Sequence, residues 1–173
     1  GVELTNTGDS DTAFAGTIIG GSMLRSANQV ASVHVGNSEV EIKSGKISKN
    51  IYAGSYIYAD AANSKHSGNA TLTLGSFTEV EGQKTYATVI STGSLYGGCY
   101  IAAASAVHEG NTYVNVMPEV TTAAVYSSTY STVHSTYNDD ATDTDARGAD
   151  CIKYGFGHVG NVYVNVTGGN FTS

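Results

Sequence analysis

Two short motifs alternate down this chain, and their alternation constrains its fold more than any other feature. IIGGSML from Ile18, IYAGSYI from Ile51, LYGGCYI from Leu95 and VYSSTYS from Val125 align without gaps. So do HVGNSEVEI from His34, HSGNATLTL from His66, HEGNTYVNV from His108 and HVGNVYVNV from His158. The first motif leads to the second after 16, 15, 13 and 33 residues, and the second leads to the next first after 17, 29 and 17. The underlying period is about 32 residues. One insertion of about a dozen residues falls around Glu79–Thr92, and another of nearly twenty covers Ser131–Asp150. Residues 1–173 thus read as one domain of about four repeats.

Each motif reads as a strand. Val162, Val164 and Val166 alternate with Tyr163 and Asn165, a period of two that sends the valines to one face. Leu72 and Leu74 alternate with Thr71 and Thr73, and Val114 and Val116 with Tyr113 and Asn115. A short third strand is expected at Gly45–Ser48, Gly75–Thr78 and Gly169–Thr172, with Gly-containing bends between strands. Composition agrees: 17 Val, 9 Ile and 20 Thr stand against 5 Leu, a bias that suits pleated sheet over helix. No run approaches the ~18 apolar residues of a membrane helix.

Short strands repeated at this period, with insertions confined to connections, predict an all-β parallel β-helix (β-solenoid) of four to five coils. Equivalent residues would then stack in columns about 4.8 Å apart. The rival is a sandwich of hairpins, which favours Asn-Gly or Asp-Gly turns; neither dipeptide occurs. Strands such as GNVYVNVTGGNFTS, paired with NIYAGSYI or SLYGGCYI, resemble the glycine-rich β-helical repeats of bacterial and archaeal adhesin-like surface proteins. The third copy departs at Met117-Pro118-Glu119, and the fourth has Ser127-Ser128 in place of the glycine pair. The resemblance implies a secreted structural role in a cell-surface sheath or filament, and supplies no catalytic residues.

Charge narrows the partners. Eight basic residues against fifteen acidic ones give −7, with no Lys/Arg cluster to bind nucleic acid. The Ser, Thr, Asn and Gly that supply the polar surface suit an extracellular protein, and the start at Gly1 fits a mature chain after signal-peptide removal. No nucleophile, zinc-protease or phosphate-loop motif occurs, and the expectation is that the chain is not an enzyme.

The remaining candidates are columns and clusters. His34, His66, His108 and His158 stand at one repeat position. They read as turn residues bonded to neighbouring backbone, ahead of a metal ladder that a linear column serves poorly. Tyr52, Tyr96 and Tyr126 form one aromatic column and Tyr56, Tyr100 and Tyr130 another, serving sheet stacking, subunit contact or surface glycans. Asp139, Asp140, Asp143, Asp145 and Asp150 read as a solvated loop, with Ca²⁺ as the alternative and Arg147 where an oxygen ligand belongs. Otherwise no cofactor is expected. Cys99 and Cys151 suggest one disulfide, internal or between subunits. Asn69, Asn165 and Asn170 open Asn-x-Thr sequons. The most regular copy ends in Val162, Val164, Val166 and Phe171, an edge expected to pair with copies of the same chain.

Overall fold

A computed structural model describes residues 13–25, 31–103, 106–132 and 157–172. Among them the protein is all-β, without a helix. The chain forms β1 (Ile18–Ile19), β2 (Met23–Leu24), β3 (Val33–Val35), β4 (Ser38–Ile42) and β5 (Gly45–Ile47). The second repeat forms β6 (Ile51–Tyr52), β7 (Tyr56–Ile57), β8 (Lys65–Ser67) and β9 (Ala70–Leu74), followed by β10 (Phe77–Val80) and β11 (Gln83–Tyr86). Then come β12 (Val89–Tyr96), β13 (Tyr100–Ile101), β14 (Val107–Glu109) and β15 (Thr112–Val116). The last described repeat holds β16 (Val120–Tyr126), β17 (Tyr130–Ser131), β18 (His158–Val159), β19 (Val162–Val166) and β20 (Asn170–Phe171).

Strands from equivalent repeat positions pair with one another, always parallel. The orders are β18-β14-β8-β3, β19-β15-β9-β4 and β17-β13-β7-β2, beside a larger sheet in the order β1-β6-β12-β16-β20 with β5 on β12. Register follows the sequence alignment residue for residue. His34, His66, His108 and His158 are Cα partners in turn, as are Val40, Leu72, Val114 and Val164. The apolar alternation explains this: a one-residue slip would turn Leu72 and Leu74 out of the core.

That core has two parts. The larger gathers Ile51, Leu72, Leu74, Val89, Leu95, Val114, Val116 and Val120, and the smaller Ile57, Cys99, Ile101, Ala103 and Ala106. Each fully buried Leu, Ile or Val contributes about 1.5–3 kcal/mol by leaving water. The Gly-Asn step before β9, β15 and β19 is steric in origin. Gly68 has φ +148°, and a Cβ there would overlap the Gly36 carbonyl oxygen of the preceding repeat.

The first insertion departs from expectation. Gly75–Thr78 is not a third repeat strand, because Phe77–Val80 pairs antiparallel with Gln83–Tyr86 in an exposed hairpin. The place beside β5 is taken by Val89–Ser91, whose alternation puts Val89 and Ser91 in the interior. The inserted hairpin therefore lies at 77–86, and most of the expected 79–92 segment is hairpin or core strand. Its turn uses Glu81 and Gly82 at φ 50° and 79°, the positive angles a two-residue type I′ turn requires. Asn-Gly and Asp-Gly were too narrow a signature. Phe77 against Tyr86, with Lys84 4.3 Å above the Phe77 ring, closes the hairpin.

Candidate functional site

The four repeated histidines lie on β3, β8, β14 and β18, in strands, not at a bend. Their rings form a continuous column. His34 stacks on His66 at 4.5 Å and His108 on His158 at 4.7 Å, while His66 meets His108 edge-on at 4.8 Å and 89°. His66 and His108 are fully buried. Burial, then the neighbouring imidazoles His108 and His34, pushes the His66 pKa down to about 3. Burial also takes His108 down to about 4, against the opposing hydrogen bond that it donates to the Gly68 carbonyl. The two central imidazoles are accordingly neutral.

Each histidine meets a hydroxyl, a relation the turn reading missed. Nδ1 of His34 lies 2.8 Å from Ser22 Oγ, and that of His66 2.7 Å from Ser55 Oγ. These serines occupy the fifth position of the first motif, where the next two copies have Cys99 and Thr129. Cys99 breaks the pattern, and the fourth repeat makes up for it. Thr129 Oγ1 sits 3.0 Å from His108 Nδ1, while Ser128, standing where other copies have glycine, takes His158 at 2.8 Å. The same column also receives backbone donors: Ser22 N–H donates to Ser55 Oγ, Ser55 N–H to Cys99 Sγ and Cys99 N–H to Thr129 Oγ1. The signal was in the sequence, since Ser, Ser, Cys and Thr recur in step with the histidines.

A ladder of asparagines runs alongside. The N–H of Asn69 donates to Asn37 Oδ1, that of Asn111 to Asn69 Oδ1 and that of Asn161 to Asn111 Oδ1, each at 2.9 Å. The connections before β9, β15 and β19 are thus each tied to the preceding repeat. Asn69 is therefore occupied in the ladder. Asn165 and Asn170 are exposed.

The aligned tyrosines stack as columns. Tyr52, Tyr96 and Tyr126 follow at 4.9 and 4.8 Å, and Tyr56 lies 4.2 Å from Tyr100. Edge contacts join the columns, such as Tyr52 to Tyr100 at 5.4 Å. Tyr52 and Tyr96 are buried, whereas Tyr126 and Tyr130 are exposed and border an open cavity of about 310 Å³ with Tyr96 and Ser128. Tyr113 on Tyr163 is a third stack, outside the two columns expected from the motifs.

Cys99 is a free thiol with a fully buried side chain, so no disulfide is seen among the described residues. Burial pushes its pKa up to about 12. Cys151 and the acidic group Asp139, Asp140, Asp143, Asp145 and Asp150 lie outside the described residues. Val162, Val164, Val166 and Phe171 sit together at the outer end of the described strands, all exposed. No helix among the described residues is long and apolar enough to cross a membrane. Comparison with known proteins gives no match to a family, a curated protein or a solved structure.

Proposed function

We propose that this chain is a segment of a parallel β-helix with a structural role, joining copies of itself end to end in an extracellular sheath, filament or surface layer. The observation that carries this reading is the complementarity of the two outer strands of one sheet. Thr112 N–H donates to Asn161 O, and Thr167 N–H to Val116 O. Parallel strands alternate the direction of their peptide groups along the ladder. Tyr163 and Asn165 therefore face β15, and the N–H and C=O groups of Val162 and Val164 face outward. At the opposite edge, Ser38 N–H donates inward to Asn69 O, which leaves the peptide groups of Glu39 and Glu41 facing outward.

Those two outward sets pair in the register the interior already uses, with Val164 against Val40 of a second copy. The asparagine ladder would continue from Asn161 to the next Asn37. Val162, Val164 and Val166, exposed at 42%, 55% and 49%, would gain the cover their interior counterparts have. Because the two surfaces differ, the contact is heterologous and propagates as a filament instead of closing as a dimer. An adhesin role is the second reading, supported by exposed Tyr126 and Tyr130 beside the 310 Å³ cavity, where a sugar's apolar face could stack.

Sedimentation and negative-stain imaging over a concentration series test the first reading. Ordered strings are expected, and Val164→Pro should abolish them with an unchanged far-UV spectrum, because its N–H points to the open edge. A monodisperse monomer at high concentration that is retained on immobilised glycans would instead support the second.

A further inference from the structure

We propose that His66, Cys99 and His108 form a binding site for one soft, low-coordinate metal ion of the Cu(I) class. All three side chains are fully buried. One ring nitrogen from each histidine and Cys99 Sγ all lie within 4.8 Å of one another. Bonds of about 2.0 Å to nitrogen and 2.3 Å to sulfur in a three-ligand plane separate the ligand atoms by about 3.5–4 Å. A displacement of about an ångström closes the set around one ion.

Three independent features converge here. The only thiol at the repeat position of Ser22, Ser55 and Thr129 falls beside the two fully buried imidazoles. The histidine column, stacked within 16° elsewhere, turns to 89° between those same two rings. And His66 Nε2 is buried without a hydrogen-bond partner. His34 Nε2 also lacks one, but His34 lies outside the cluster that includes the thiol.

A hydrogen bond sets the His108 tautomer. His108 Nε2 lies 3.0 Å from the Gly68 carbonyl oxygen, which can only accept, so Nε2 carries the proton and Nδ1 keeps its lone pair. A carbonyl holding the far nitrogen of a metal-binding histidine is a common supporting contact. For His66, Nδ1 lies 2.7 Å from Ser55 Oγ and Nε2 has no partner, so whichever nitrogen is unprotonated presents a lone pair. Each histidine can thus offer one lone pair beside the thiol, with His108 Nδ1 exchanging its hydrogen bond from Thr129 Oγ1 for the ion.

The donor set selects the ion. Thiolate and imidazole together suit Cu(I), whereas structural zinc takes four ligands and the cluster offers three. As the metal–sulfur bond forms, the Cys99 thiol releases its proton to solvent, the ion sheds its previous ligands and no electron is transferred.

The test uses the full chain carrying Cys151→Ser, so that Cys99 is the sole thiol. Anaerobic titration with Cu(I) against a chromophoric chelator should give one equivalent bound, with one sulfur and two nitrogen neighbours by X-ray absorption. Adding Cys99→Ser, the residue that two other repeats already use, should lower affinity at least 100-fold without lowering the melting temperature of the metal-free protein. If that variant folds poorly, the absorption spectrum of the parent decides alone. Equal Cu(I) affinity with and without Cys99, an ion shell lacking sulfur, or displacement of Cu(I) by equimolar Zn(II) would each overturn the proposal.

Discussion

HEGNTYVNV and HVGNVYVNV differ at two of nine positions, yet they live in different environments. In the interior copy Thr112, Val114 and Val116 are at most 1% exposed; in the outer copy Val162, Val164 and Val166 are 42–55% exposed. β15 is paired on both sides, with β9 and with β19, whereas among the described residues β19 is paired with β15 alone, over five residue pairs. The difference teaches what alternation encodes. It states which face of a strand is apolar, whereas burial needs neighbours on both sides of the layer. In this molecule the second neighbour is another repeat, and the outer strand has none among the described residues.

The largest expected effect separates the two regions by truncation. Leu72→Ala removes a side chain enclosed between repeats and should cost about 3–4 kcal/mol, while Val164→Ala should cost under about 1 kcal/mol. Denaturant unfolding at low protein concentration measures both, and similar losses would erase the distinction.

Acid should be felt mainly in the interior. His66 and His108 are held below the unfolded value of about 6.5, at about 3 and about 4. Above pH 6.5 both folded and unfolded forms are neutral; below it the unfolded chain binds more protons, so stability falls progressively until the folded values are reached. Between pH 8 and pH 5 the loss should be about 1–2 kcal/mol per buried histidine. Melting curves of His66→Gln should be flatter over that range than those of the parent, and an unchanged slope would remove the histidine column as the cause.

A smaller contrast lies in the asparagine ladder. Asn111→Ala strips the acceptor from Asn161 N–H and the donor to Tyr163's counterpart Tyr113, and should cost about 1 kcal/mol. Asn161→Ala leaves no further repeat unpaired among the described residues and should change stability by less than about 0.5 kcal/mol. Amide exchange at Asn161 would report the first loss directly.

Much of this was legible in the chain itself. The repeat alignment foretold every Cα pairing of the histidine and valine columns, because parallel stacking places identical positions in register. The tyrosine columns followed for the same reason. What escaped were relations between different motifs. That Ser55 meets His66, eleven residues on, depends on how two strands of one repeat lie across the interior. The hairpin escaped because Glu81-Gly82 reaches the required positive angles without the usual Asn or Asp.

Sequence alone determined the all-β class, the apolar face of the long repeat strands, and which repeated histidines, valines and tyrosines stack on which, since periodicity and repetition act through local geometry. Tertiary structure decided the rest. It set which imidazoles are buried enough to stay neutral, and recruited Ser128 and Thr129 to supply the hydroxyl that Cys99 lacks. It also brought His66, Cys99 and His108 within 4.8 Å of one another. Burial and convergence are properties of several strands at once, so no single strand's pattern can contain them.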